Sequence, residues 1–397
     1  MVETEKRIST AQLFTVIFIL GMGLKILMLP VLMLKVVGRD SVLGLAGMGV
    51  LELLCLGAML AAVMLSPEKS FFDMTVELVG KAAAKIIFAF LAAFFFFKLL
   101  LLVGEVRVFF SENLLQNFSS TVYSLPLCGL CVVMGMGTLR AIGRTSQFLF
   151  PFIAVAMLCL FVFIGMGVDY SEIFPLGDYG FKSTFTNSFK HSMWFGDYSS
   201  LVAVIGSVRR TKRTATAGVI AGIIASLTVI FYMLGLTASF SNVCYLLRFG
   251  QNVTGMSHYA LGDVMQGRLD VMLFCMWIVS VLVEAGFYSF TTVSCLEKVI
   301  PVKKELLSLS AGVLLFAVLL LWQSTSDLQA FAINYFSVPA AVFQIAVPVF
   351  AIIVTAVARR REKKKRGKIC GEYRTLQTET ANTQCDVKSE GAECEAE

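Results

Sequence analysis

Long apolar runs, separated by short polar connections, account for most of this chain. The runs show no two-residue alternation, and they are long enough for helices that cross a bilayer, which need about 20 apolar residues. We therefore predict an all-α integral membrane protein with ten transmembrane helices, numbered here as spans one to ten. Their approximate bounds are 11–34, 42–65, 84–108, 122–138, 146–168, 185–207, 215–238, 269–293, 306–322 and 331–357.

The first span is interrupted at its centre by Gly21, Gly23 and Lys25. A glycine inside a helix costs roughly 1 kcal/mol relative to alanine. A lysine at the middle of a bilayer costs about 2.5 kcal/mol or more. We therefore predict that this helix is broken, and that the break faces something other than lipid.

Span six is interrupted in the same way by the stretch 194–200, which includes Trp194, Gly196 and Asp197. Backbone groups freed at membrane depth are tolerated where they line a cavity. Two interrupted spans, five apart, predict an inverted-repeat transporter fold with a ligand site at the breaks. In such a site, glycines let a ligand approach the backbone, and the positive end of a half-helix meets its anionic group.

Further polar groups lie inside the apolar runs. Lys98 is near the middle of span three and Glu284 near the middle of span eight, where Glu284 belongs to a polar helical face with Tyr288. Charges inside a membrane indicate a functional site by default. A lysine and a glutamate that only neutralise each other and fix the packing would give the same pattern, and both interpretations stay open. Glu105, near the outer end of span three, is expected to be a solvated charge.

These observations define two overlapping sets of candidate residues. The predicted ligand-binding residues are Gly21, Gly23, Lys25, Lys98, Trp194, Gly196, Asp197, Glu284 and Tyr288. The candidates for coupling to an ion or a proton are Lys25, Glu284, Ser289 and Thr292.

The composition supports a membrane protein, since 57% of the residues are hydrophobic and 15% are charged, whereas soluble domains carry about 45–50% and about 25%. Lys and Arg are concentrated in the connections on one side, for example at 209–213, which predicts that both termini are cytoplasmic. We interpret residues 1–358 as a permease-like membrane domain. Residues 359–397 form a cytoplasmic tail that is basic over 359–368 and mainly acidic over 369–397.

Two polar segments have open interpretations. The tail is either a disordered, solvated segment or a docking element for a cytoplasmic partner. The longest outer connection, 239–268, is compatible with a short helix or a lid. Asn117 and Asn252 match the glycosylation pattern, and we interpret both as chance matches.

Motifs of enzymes and of nucleic-acid-binding proteins are not found in this sequence. It has no phosphate loop, zinc signature or nucleophile elbow, and its two histidines, His191 and His258, stand alone. Cys128 and Cys131 form one isolated pair inside an apolar run, where cysteine acts as a small hydrophobe. We therefore expect no enzymatic activity, no cofactor, no metal site and no nucleic-acid partner.

Short motifs follow one another in a characteristic order along the chain. They are Ile8–Phe14 leading into span one, Gly21–Gly23, Leu29–Pro30, Gly38–Asp40, Gly143–Arg144 and Phe150–Pro151. In these motifs the chain resembles the spore germination permeases, which are the membrane B subunits of GerA-type nutrient germinant receptors in the amino acid–polyamine–organocation superfamily. The resemblance covers about residues 8–358 and leaves out the tail.

The resemblance implies a LeuT-like 5+5 inverted repeat with broken helices one and six. It also implies a small germinant, often an amino acid, and action with A- and C-type receptor subunits in the lipid of the spore inner membrane. The alternative is a secondary transporter that moves an amino acid or another small solute with a proton or cation. In that case Lys25 stands where some relatives bind sodium, with Glu284 as its proton partner.

Overall fold

The computed structural model describes residues 7–364, with gaps at 68, 112–117, 166–170, 172–173, 175, 209, 241–268 and 323–324. Most of the predicted outer connection 239–268, both candidate glycosylation asparagines and nearly all of the tail lie outside the described residues.

Helices make up almost all of the described chain. The α-helices are α1 (Thr10–Met22), α2 (Lys25–Val37), α3 (Ser41–Leu65), α4 (Phe71–Val79), α5 (Lys81–Phe109), α6 (Ser120–Met136), α7 (Leu139–Gly165), α8 (Phe181–Phe189), α9 (Lys212–Phe240), α10 (Leu269–Val299), α11 (Lys304–Leu321), α12 (Thr325–Phe331) and α13 (337–364). Short 3₁₀ segments are Gly38–Asp40, Ser192–Trp194 and Asp197–Val204, and a π-helical turn, Ala332–Phe336, joins α12 to α13.

The all-α membrane class is confirmed. Seven helical segments are long and apolar enough to cross a membrane, namely α3, α5, α7, α9, α10, α11 and the continuous run Leu328–Lys364, and α1 and α6 are shorter apolar helices. Each of the ten predicted spans contains helix, while the count of ten crossings stays a prediction. Among the described residues, β-structure is limited to one isolated bridge between Ile8 and Val208.

Span one is broken where its glycines and lysine predict a break. α1 begins with a capping box, because the Ser9 hydroxyl accepts from the Gln12 amide and the Gln12 side chain accepts from the Ser9 amide. It ends at Met22, where the Gly23 amide donates to Ile19 O over 2.7 Å. α2 then starts at Lys25, which leaves two residues between the half-helices.

Span six is unwound over more of its length than span one. Its first part is α8, its second part is the 3₁₀ segment Asp197–Val204, and Gly196 between them has φ +79°. This left-handed conformation favours glycine, because a side chain would clash with the backbone there. The predicted break in span six is therefore confirmed, and it places Asp197 at the first position of the second part.

The two broken spans contact each other at both ends. At one end of the bundle, the Ile8 amide before α1 donates to Ser207 O at 3.0 Å, just beyond the second part of span six. At the opposite end, Asp40 accepts hydrogen bonds from Gly177 N at 2.6 Å, Tyr179 N at 2.9 Å and the Thr184 hydroxyl at 3.1 Å. α1 also packs on α9, and α10 packs on α5.

Candidate ligand site

A buried ion-pair network joins the two helix breaks. Lys25 Nζ lies 2.6 Å from Glu52 Oε1 of α3 and 2.6 Å from Asp197 Oδ2. Lys25 is the first residue of α2, and Asp197 is the first residue of the second part of span six. The unwinding of both spans is what brings these two side chains together at the centre of the bundle.

The second oxygen of Asp197 is bonded from two further helices. Lys98 Nζ of α5 forms an ion pair with Asp197 Oδ1 and also donates to Phe195 O at 2.7 Å. The Tyr288 hydroxyl of α10 donates to the same Asp197 oxygen. Asp197 is therefore the common partner of three helices, and Lys98 binds both its carboxylate and the unwound backbone beside it.

Glu284 of α10 binds at the break in span one. The Leu24 amide, which lies directly before α2, donates to Glu284 Oε2 at 2.8 Å in a buried hydrogen bond. The positive end of the half-helix and its free amide make this a favourable place for a carboxylate. A Cβ atom on Gly23 would overlap the same Glu284 oxygen, so a glycine is needed for this approach.

Gly21 has an equally close neighbour. A Cβ atom there would overlap the hydroxyl of Tyr198, which is fully buried and has no hydrogen-bond partner among the described residues. In the observed state, the space beside these two glycines is thus filled by protein side chains, those of Glu284 and Tyr198. Direct contact between a ligand and these glycines stays a prediction.

The centre is strongly charged and almost completely shielded from solvent. The five charged side chains, Lys25, Glu52, Lys98, Asp197 and Glu284, are between 1% and 4% exposed. Removing such groups from water is expensive, and close pairing offsets the cost. The cavity beside Lys25 and Glu52 has a volume of about 10 Å³, room for about one water molecule. The observed state is therefore closed around its own charges.

Aromatic rings complete the surroundings of the two ammonium groups. Lys25 Nζ lies 5.7 Å from the ring centroids of both Phe195 and Tyr198, and Lys98 Nζ lies 5.5 Å from that of Tyr288. At these distances the ring faces attract a cation, and the attraction is larger where water is excluded. The aromatic residues that interrupt span six therefore help to hold Lys25, and Tyr288 of α10 does the same for Lys98.

The remaining predicted residues lie around this centre. The Trp194 ring is 5.8 Å from the His191 ring, and Gly196 packs on the side chain of Gln344. Ser289 donates to Cys131 O at 2.6 Å, which ties α10 to α6, and the Thr292 hydroxyl is buried without a partner among the described residues. Whether any of them binds a ligand or an ion is not decided by these contacts.

Two expectations need correction. The ion pair between Lys25 and Glu284 is not formed, since Lys25 pairs with Glu52 and Asp197 while Glu284 caps the start of α2. Glu105 is not a solvated charge, because it is 1% exposed and accepts two hydrogen bonds from Gln329 Nε2, at 2.8 and 2.9 Å.

One central residue is missing from the sequence prediction. Glu52 lies in the middle of the predicted span 42–65, and it carries the same signal as Lys98 and Glu284, a charge inside an apolar run. A search of every predicted span for charged residues would have found Glu52. Its pairing with Lys25 depends on the fold and could not be predicted from the sequence.

The profile of one protein family matches most of the chain. The model of the family described as "Spore germination protein", the spore permeases, aligns with residues 7–328. The chain belongs to this family. A search of curated protein sequences finds no match.

Solved structures of transporters share the fold of this spore permease. MhsT in complex with L-phenylalanine has a TM-score of 0.62 at 11% identity, over 89% of each chain. A Na⁺-coupled sialic acid symporter has 0.57 at 14% identity, over 86% of this chain and 79% of its own. A manganese transporter from Eremococcus coleocola has 0.56 at 12% identity, over 87% and 78%.

At these identities the comparison shows the fold alone, which is LeuT-like. Together with the family match, it establishes a multi-pass membrane protein of transporter-like architecture. The spore permease is therefore not an enzyme.

Proposed function

We propose that this spore permease is the integral-membrane subunit of a nutrient germinant receptor. It binds a small germinant, an amino acid, between the breaks of spans one and six, and passes the signal to A- and C-type receptor subunits. It lies in the spore inner membrane, surrounded by lipid, with both termini in the cytoplasm. The family match and the transporter-like fold support this proposal.

The observation that carries the proposal is the junction between Lys25 and Asp197. This ion pair joins the second half of span one to the second part of span six. Both spans are interrupted at this point, so a small change in the pair alters how the half-helices lie against each other. A ligand can shift such an equilibrium only by binding one arrangement more tightly than the other.

The charges of the centre match those of an amino acid. The carboxylate of the ligand would replace Glu284 at the Leu24 amide, and its ammonium group would lie against Glu52 and Asp197. Because the observed state uses these groups for internal bonds, ligand binding must break some of them. Binding and rearrangement are therefore the same event.

Spores that carry variants in place of the native protein test the proposal. We expect Glu52→Gln and Glu284→Gln to abolish or strongly reduce the loss of refractility that a germinant triggers, with the protein still present in the membrane. The exposed variant Lys81→Gln, at the start of α5, is the control and should germinate normally. Normal germination with both central variants would contradict the site.

The second candidate function is a proton- or cation-coupled transporter of amino acids or other small solutes. Three carboxyl groups face two ammonium groups in the described centre, and a bound proton or monovalent cation would balance this excess. Lys25, Glu284, Ser289 and Thr292 are its candidate coupling residues. Uptake of a labelled amino acid by proteoliposomes under a proton gradient would favour transport, whereas binding without uptake would favour the receptor.

A further inference from the structure

A second pocket, of about 210 Å³, lies near the end of span six that is joined to Ile8. α4, residues 202–207 and the last turns of α10 form its walls. The walls carry Lys69, Lys298 and three serines, and none of the described residues that line the pocket is acidic. Drug-sized ligands occupy pockets of about 300–1,000 Å³. This smaller pocket suits one or two side chains of a peptide segment.

The pocket attracts negative charge. Lys298 is exposed and has neither an ion pair nor a hydrogen bond among the described residues. Lys69 forms an ion pair with Glu77 that is exposed to solvent, and such pairs exchange partners at little cost. Ser70, the N-cap of α4, also lines the pocket, but its hydroxyl already donates to Asp73 in the first turn of that helix, so the attraction for an anion comes from the two lysines.

The acidic part of the tail starts within reach of this pocket. α13 ends at residue 364, and Arg361 donates to Glu77 O near the end of α4. From there to Ser70 the distance along α4 is about 10 Å at 1.5 Å per residue. The eight residues from 364 to Glu372 span up to about 26 Å when extended. Residues 369–397 hold seven acidic and two basic side chains.

We propose that the acidic segment 369–397 of the same chain binds in this pocket, with its carboxylates at Lys69 and Lys298. The basic segment 359–368 is a poor occupant, because its charge has the same sign as the pocket. The tail lies outside the residues that match the family model. The proposed binding goes beyond the proposed receptor function.

A tail bound here would touch the moving part of the ligand site. Val202 and Ile205 line the pocket, and they belong to or directly follow the 3₁₀ segment that begins with Asp197. An occupied pocket holds this segment from the side opposite to the helix break. The tail would then oppose any rearrangement in which the second part of span six moves away from α4.

Disulfide cross-linking in the full-length protein tests the proposal. Cys385 is kept as the sole tail cysteine, Cys295 in the pocket wall is replaced by alanine, and Ser207→Cys is introduced in the pocket. The control places the new cysteine at Ala141→Cys, an exposed position on α7 near its start, which does not line the pocket. The rate of intramolecular disulfide formation is followed in membranes by mass spectrometry of the joined peptides.

We expect the Ser207→Cys protein to cross-link about five times faster than the Ala141→Cys protein, since an exposed charge contact of up to about 1 kcal/mol changes an equilibrium by up to about this factor. Lys298→Glu should slow the reaction by a similar factor, and Glu379→Lys with Asp386→Lys should restore it. The proposal would be overturned if the two positions cross-linked at equal rates, or if the charge changes left the rate at Ser207→Cys unaltered. Cross-links between two copies of the chain would overturn it as well.

Discussion

Lys25 and Glu52 form an ion pair in which Nζ and Oε1 are 2.6 Å apart, although one residue starts α2 and the other lies mid-way along α3. Both side chains are 3% exposed. Removing one member of such a pair leaves a buried charge without a partner, which typically costs about 3–5 kcal/mol. Removing both members leaves no such charge.

We therefore predict that Lys25→Met and Glu52→Leu each lower the midpoint of thermal unfolding in detergent, and that the double variant loses clearly less than the sum of the two. Asp197 keeps part of the interaction with Lys25 in the Glu52→Leu protein, so Lys25→Met should be the worse single change. A double-mutant cycle gives the coupling energy. Strictly additive losses would show that the pair contributes no energy.

The exposed pair Lys69–Glu77 is the matched control for this cycle. Its side chains are 43% and 36% exposed, and pairs of this kind contribute about 0.2–1 kcal/mol. Lys69→Met and Glu77→Leu should therefore change the unfolding midpoint little.

Combining Lys25→Met with Glu284→Gln should give a smaller coupling energy than combining Lys25→Met with Glu52→Leu, since Lys25 and Glu284 have different partners.

Gly23 is predicted to be the least replaceable position of the first break. In Gly23→Ala the new methyl group overlaps the Glu284 carboxylate, so Glu284 must leave the Leu24 amide, and the melting temperature should fall. Gly57→Ala is the control, because nothing lies within 4 Å of the added methyl group and alanine favours helix by about 0.5–1 kcal/mol. Gly23→Leu should insert into the membrane and lose its response to the germinant. A Gly23→Ala protein as stable as Gly57→Ala would contradict the close approach.

Lys98 and Tyr288 bind the same oxygen of Asp197, and we predict different losses when each is changed. Lys98→Met removes a buried positive charge and leaves Phe195 O without this donor, which should cost about 3–5 kcal/mol. Tyr288→Phe removes one hydrogen bond to a charged group, worth about 1.5–3 kcal/mol. Thermal unfolding of both variants under one condition shows which variant loses more stability. A larger loss in Tyr288→Phe would contradict the interpretation that Lys98 is the stronger of the two partners of Asp197.

Asp40 is predicted to hold the start of span six in place. Its carboxylate accepts three hydrogen bonds, from Gly177, Tyr179 and Thr184. In Asp40→Ala the amides of 177–184 should exchange hydrogen faster by about ten-fold or more, since the variant loses bonds to a charged acceptor. Thr184→Val removes one of the three bonds and should have a smaller effect. Unchanged exchange in Asp40→Ala would show that α8 is held by other contacts.

The sequence predicts the breaks and the charged positions because both are local signals. Glycines and a lysine at mid-span disfavour a continuous helix whatever surrounds them, and Gly23 and Gly196 lie at the observed breaks. A charge at membrane depth must be buried in protein, as Lys98 and Glu284 are.

The partners of these charges could not be predicted from the sequence, because they depend on how helices that are distant in the chain pack together. Lys25 and Glu284 have opposite charges and similar depths, so pairing them is reasonable from the sequence. The fold instead puts Glu284 at a backbone amide and gives Lys25 to Glu52 and Asp197. Glu105 is buried for the same reason, since Gln329 reaches it from α12, more than 200 positions away in the chain.

The contacts of Asp40 have a consequence for spectroscopy. α2 and α8 are joined through Asp40, away from the central ion pairs that a ligand would break, so these two helices are expected to move together. Spin labels on α2 and α8 should then keep a constant separation when a germinant binds. Labels on α2 and α5 would record the motion, and they are the pair to choose for following the rearrangement in time.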